Sequence, residues 1–162
     1  MNLFLLRHAE AGPGAPDSAR PLTERGHLQI ELLARRVDTA EFARVSAVEH
    51  SPLVRARETA TLFRCLSRLP QPLQACEYLK PEDDPNATAR RIVQAGRDRL
   101  LVGHNPHFEL LAGLLLGQGR VTVQVAFRFA TCMALEQFSP PTSQVPLGYW
   151  QLRWFVGPGT DA

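Results

Sequence analysis

Apolar residues recur along this chain with two periods, and the alternation between them sets out the fold. Asn2 to Leu6 is a short, almost wholly apolar run that stops at Arg7-His8, the pattern of a buried strand. Ile30, Leu33, Ala34 and Val37 fall at i, i+3, i+4 and i+7, one face of a helix for which Thr23 is the N-cap. Val45 to Glu49 reads as a second strand. After the turn at Ser51-Pro52 a helix follows from about Leu53 to Leu66, with Ala56, Ala60 and Phe63 facing inward and Pro70 and Pro72 ending it. Leu73 to Cys76 is a third, short strand. Asn86 or Thr88 caps a third helix carrying Ile92 and Val93, and Arg99 to Gly103 is a strand again. Pro106 lies in the first turn of a fourth helix, where proline is tolerated, and Phe108, Leu111, Ala112 and Leu115 form its apolar face. Beyond it, Val121 to Phe127 alternates in part, Thr131 to Phe138 is apolar-rich, and Tyr149 to Val156 closes the pattern; these read as further strands, some antiparallel.

Strand and helix alternate over the first two thirds, which predicts a largely parallel sheet covered on both faces. In such sheets ligands sit beyond the carboxyl ends of the strands. Arg7 and His8, Ser51 to Arg55, and His104 each follow a predicted strand directly. If those strands are parallel neighbours, two arginines and two histidines share one rim.

Composition narrows what that rim serves. At 162 residues the chain is expected to form a single domain, 1–162, with a sizeable core. A net charge of +2 gives no argument for nucleic acid or membrane partners. Cys65, Cys76 and Cys132 are odd in number and in no metal-ligand spacing, so they read as reduced thiols. The first apolar run is too short for the apolar region of a signal peptide, and Leu110 to Leu116 falls well short of a membrane span, so a cytoplasmic location is expected.

Two arginines can grip the non-bridging oxygens of a phosphoryl group with paired, charge-assisted hydrogen bonds. A histidine ring nitrogen can accept the phosphoryl group and divide one hard displacement into two easier ones. A second, protonated histidine would add charge and a donor. No metal and no cofactor is expected, since acidic ligands are missing from the strand ends, and His104 with His107 lacks the His-Glu-x-x-His pattern and a third ligand.

Leu6-Arg7-His8-Ala9, Arg20-Pro21-Leu22-Thr23-x-x-Gly26, Ser51-Pro52-x-x-Arg55-Ala56-x-x-Thr59-Ala60 and Val102-Gly103-His104-Asn105-Pro106, in that order, resemble the histidine phosphatase (phosphoglycerate-mutase-like) superfamily. The short chain and the Arg-Pro-Leu-Thr element are most similar to its SixA type, the protein phosphohistidine phosphatases. The resemblance implies a three-layer α/β/α sandwich around a mostly parallel sheet with an antiparallel edge strand. It implies His8 as the nucleophile, with Arg7, Arg55 and His104 holding the phosphoryl oxygens and Arg20 as a further phosphate-side arginine. Ser51 and Asn105 are candidates for orienting the site. Ala9 stands where glycine is common in the superfamily. Larger members place a carboxylic acid over the leaving group; here Glu77 is the candidate donor, ahead of Glu82, Asp83 and Asp84. The substrate implied is phosphohistidine in a signalling protein such as a histidine phosphotransfer domain. The alternatives are a general small-molecule phosphomonoesterase and a non-catalytic phosphate-binding module.

Overall fold

In β1, Asn2–Arg7, successive side chains leave the strand on opposite sides, so Leu3 and Leu5 enter one core and Phe4 and Leu6 another, all four fully buried. The computed structural model describes residues 1–159 of the chain. Its sheet adds β2 (Val48–His50), β3 (Leu73–Ala75), β4 (Arg99–Gly103), β5 (Cys132–Ser139) and β6 (Tyr149–Val156), in the spatial order β3-β2-β4-β1-β5-β6. β1 to β4 are mutually parallel, while β5 runs antiparallel to both β1 and the edge strand β6. The α/β/α layering follows from the two faces. α1 (Glu24–Arg36) and α2 (Val54–Leu66) cover Phe4 and Leu6 with Ile30, Leu33, Ala56, Ala60 and Phe63. α3 (Pro85–Ala95) and α4 (His107–Leu116) cover Leu3 and Leu5 with Ala89, Ile92, Phe108 and Leu111.

β1 lies between β4 and β5. The chain leaves β1 toward β2 on one side and later passes from β4 to β5 on the other, so the β1–β4 crevice is the point where the winding reverses. Short bonds close the strand ends there: His8 N–H donates to the Gly103 carbonyl (2.9 Å) and Ser51 N–H to the Val102 carbonyl (2.9 Å). The expected meeting of three strand ends takes place.

Local details differ from expectation in four places. The second strand begins at Val48; Val45 is buried in a turn, donating to the Phe42 carbonyl, and Ala47 is buried just outside the ladder. α2 ends at Leu66 as expected, but the residue that stops it is Arg68, with a left-handed φ of 51°, and not the prolines further on. Asp84, and neither Asn86 nor Thr88, caps α3: its carboxylate accepts from Asn86 N–H (2.9 Å) and Ala87 N–H (3.2 Å), with Pro85 as the first helical residue. Val121 to Phe127 forms no strand. Both edges of β5 are already occupied by β1 and β6, and the segment lies along α4 instead, with Val121 and Val123 over Gly113. Thr23 caps α1 as expected, its hydroxyl accepting from Gly26 N–H (2.9 Å). A Cβ at Gly26 would stand 2.2 Å from the Glu10 carbonyl oxygen, so the loop after β1 can dock on α1 only over a glycine.

Candidate active site

His8 directly follows β1 and is buried at 7% exposure. Its Nδ1 lies 2.7 Å from the Ala9 carbonyl. A carbonyl only accepts, so Nδ1 carries the proton and Nε2 keeps its lone pair. Ala9 is itself held, its N–H donating to the Thr59 hydroxyl (3.1 Å), which in turn donates to the Arg55 carbonyl (2.7 Å). β1 and α2 are thus clamped at the position where Arg55 leaves the helix. His104 faces His8 with ring centroids 4.9 Å apart, is 1% exposed, and neither of its ring nitrogens meets a donor or acceptor among the described residues. Burying two such atoms without partners is costly.

Arg7 donates to the Phe127 carbonyl (2.6 Å), and its guanidinium lies 4.2 Å over the Phe129 ring, which also packs against His8 at 5.6 Å. Asn105 donates to the same Phe127 carbonyl (3.0 Å) and to the Glu109 carboxylate (2.6 Å). Asn105 therefore orients the loop over Arg7. Ser51 is fully buried, accepts from Leu53 N–H at 3.4 Å through its hydroxyl and receives the His50 Nδ1–H on its carbonyl (2.9 Å), so it shapes the turn into α2. The electrostatics agree with this convergence. Burial, opposed by the Ala9 hydrogen bond and assisted by the charges of Arg55, Arg7 and Arg20, pushes His8 down to about 4. Burial first, then His8 and Arg55, push His104 down to about 2, with Asp17 pulling the other way. Both imidazoles are neutral at pH 7.

Two of the expected site residues hold partners of their own. Arg20 is tied to its own loop: Nε donates to the Gly12 carbonyl (2.8 Å), one terminal nitrogen to the Ala11 carbonyl (3.3 Å) and the other to Asp17 (3.1 Å). Its charge reaches His8, while its donors brace the loop. Glu77 carries an exposed carboxylate paired with Lys80 at 2.7 Å, and among the described residues it bonds to no member of the site. Asp83 accepts from Lys80 N–H and Asp84 caps α3. His107 is engaged at both nitrogens, Nδ1 donating to the Lys80 carbonyl and Nε2 accepting from the Thr88 hydroxyl.

The carboxylate that does reach the arginines is Asp17, in the 3-10 turn Asp17–Ala19. Its carbonyl and carboxylate both take Arg55, at 2.9 and 3.1 Å, and its other oxygen takes Arg20. Bonds and charge from Arg20 and Arg55 hold Asp17 below the ordinary carboxylate range. Asp17 and Phe129 were not apparent from the sequence: nothing at position 17 announces a partner thirty-eight residues away, and Phe129 falls between the alternating run that ends at Phe127 and the apolar stretch that begins at Thr131.

Two neutral histidines at the ends of adjacent parallel strands meet beside the arginines on a three-layer α/β/α fold. The model of the histidine phosphatase superfamily (branch 1) matches residues 3–80. An uncharacterized protein of Picosynechococcus is 32% identical over 113 residues, 65% of this chain and 67% of that protein. The chain belongs to the histidine phosphatase superfamily, and its enzyme class is that of a phosphatase. Among solved structures, the protein histidine phosphatase SixA complexed with tungstate superposes with a TM-score of 0.80 over 98% of this chain and 97% of its own, at 22% identity. The alpha-ribazole phosphatase of Shigella flexneri superposes at 0.66 over 98% of each chain, at 18% identity. At such identities the likeness is one of fold.

Proposed function

We propose that this protein removes the phosphoryl group from phosphohistidine in a partner protein through a covalent phospho-His8 intermediate. The observation that carries the reading is the His8–His104 pair: an imidazole whose Nδ1–H is committed to Ala9, leaving Nε2 nucleophilic, against a second buried imidazole with both nitrogens unbonded. Nε2 attacks phosphorus, a bond forms from Nε2 to phosphorus, and the bond to the leaving nitrogen breaks with its electron pair returning to the substrate imidazole. Water then attacks the phospho-His8 phosphorus, releasing inorganic phosphate and restoring the neutral ring. Arg7 and Arg55 neutralise the phosphoryl oxygens, where such reactions need it. An arriving phosphoryl anion gives His104 the acceptor it lacks and favours its protonation.

The preference for an N–P bond rests on proton supply. An alkoxide leaving group needs a proton in the transition state, and a positioned acid is worth roughly 10²–10⁴-fold. Asp17, the carboxylate at these arginines, is held ionised and has no proton to give at pH 7. A phosphohistidine whose ring is already protonated leaves as neutral imidazole, with an unperturbed pKa of about 6.5. The likeness of fold to SixA agrees with this choice; the likeness to alpha-ribazole phosphatase fits a small-molecule phosphomonoesterase equally well. The test compares a phosphorylated histidine phosphotransfer domain with p-nitrophenyl phosphate, using the unaltered protein and His8→Ala. Faster His8-dependent turnover of the phosphoprotein supports the reading. Turnover of the small ester alone replaces it with the phosphomonoesterase.

A further inference from the structure

A cleft of about 820 Å³ opens beside the phosphoryl site, and Arg7 and Phe129 belong to both. Its walls come from α1, from the loop before β5 and from residues 157–159. Phe127 and Phe129 line it together with Arg25, Arg36 and Arg128. Glu10 is the acidic residue in the lining, and it is already paired with Arg25 at 3.4 Å. Arg36 and Arg128 are exposed and make no ion pair with any described residue. The mechanism uses Arg7 alone of this group.

We infer that this cleft docks an acidic segment of the protein that carries the phosphorylated histidine, its carboxylates meeting Arg36 and Arg128 while the phosphoryl group lies at His8. The inference deepens the proposed function and rests on it. Charge complementarity argues for the occupant: the lining is strongly positive, although the chain as a whole carries only +2. Continuity argues for its place. Because Arg7 borders both spaces, whatever flanks the phosphorylated side chain on that side must enter the cleft. A planar guanidinium group suits a carboxylate presented on a peptide, which it can meet with two parallel hydrogen bonds. Pairing at such an exposed rim acts mainly on encounter and KM, and it weakens with salt.

The test measures kcat/KM for a phosphorylated histidine phosphotransfer domain and for p-nitrophenyl phosphate at low and high NaCl. It uses the unaltered protein and Arg36→Glu/Arg128→Glu, with hexaglutamate as competitor. The expected result is a fall of about tenfold in the ratio of phosphoprotein to small-ester kcat/KM in the variant, through KM, with a flatter salt dependence. Hexaglutamate should inhibit the phosphoprotein reaction of the unaltered protein alone. An unmoved ratio, or equal losses on both substrates, overturns the docking site. So does inhibition by tripolyphosphate but not by hexaglutamate, which would assign the cleft to a small polyanion. If the unaltered protein hydrolyses the small ester and not the phosphoprotein, the functional reading itself fails, a result distinct from all of these.

Discussion

Glu49 should decide whether the strand ends stay in register. Its carboxylate is 1% exposed, one residue before the end of β2, and sits diagonally across from Arg99 on β4. Arg99 Nε donates to it at 2.8 Å, a second guanidinium nitrogen makes a shorter bond, and the Tyr78 hydroxyl donates at 2.8 Å. Burial alone would raise the Glu49 carboxyl, yet Arg99 and Tyr78 outweigh it and hold the group below its ordinary 4.5. Glu49→Ala leaves the Arg99 guanidinium buried at 6% side-chain exposure without its counter-charge. Breaking a buried pair from one side costs about 3–5 kcal/mol, a large share of the roughly 5–15 kcal/mol of a typical domain. At roughly 2–4 °C per kcal/mol, Tm should fall by about 6–20 °C. Replacing both partners, Glu49→Leu with Arg99→Met, removes the stranded charge and should recover most of that loss. Urea unfolding of the four proteins in this cycle measures it. A single-variant loss below about 1 kcal/mol, or a double variant as unstable as the single, would refute the reasoning. The pH dependence has a fixed sign. A depressed folded-state pKa gives stability that is present above pH 4.5 and lost as pH falls below it, and the apolar pair should lack that loss.

The chemistry carries two further predictions. The His8 ring should titrate near pH 4 by NMR, remaining neutral with the proton on Nδ1 at pH 7; a midpoint near 6.5 would mean that its burial and its arginine neighbours are not as described. Asp17→Asn should bind inorganic phosphate about two- to fivefold more tightly in competition kinetics, because a carboxylate that shares Arg55 with the incoming anion is gone. Weaker binding would mean that Asp17 serves to aim Arg55.

Periodicity revealed what depends on neighbours in sequence. β1, β4 and β6, the Thr23 cap, and the inward faces of α1, α2 and α4 were legible because these strands stand out as short apolar-rich runs, and burial in a helix recurs each turn. The crevice between His8 and His104 was legible one step further on, since strand ends in a parallel sheet share a rim. Val121 to Phe127 misled because alternation says nothing about whether a strand edge is free to receive it. The partners of Arg20 and the place of Asp17 were not legible for a related reason. Which donors of an arginine face the ligand depends on how its loop closes, and this loop folds its own carbonyls onto Arg20 while delivering Asp17 to Arg55. The Asp84 cap was available from the Asp-Pro pair, which holds residue 84 extended and starts the helix at Pro85.

The proposed transfer of phosphorus to His8 is tested most directly by rapid quench with a phosphoprotein labelled on its histidine, followed by peptide mapping. The account predicts transient label on His8, stable to alkali and lost in acid, and none in His8→Ala. Turnover that never labels His8, or label resting on another residue, would contradict it.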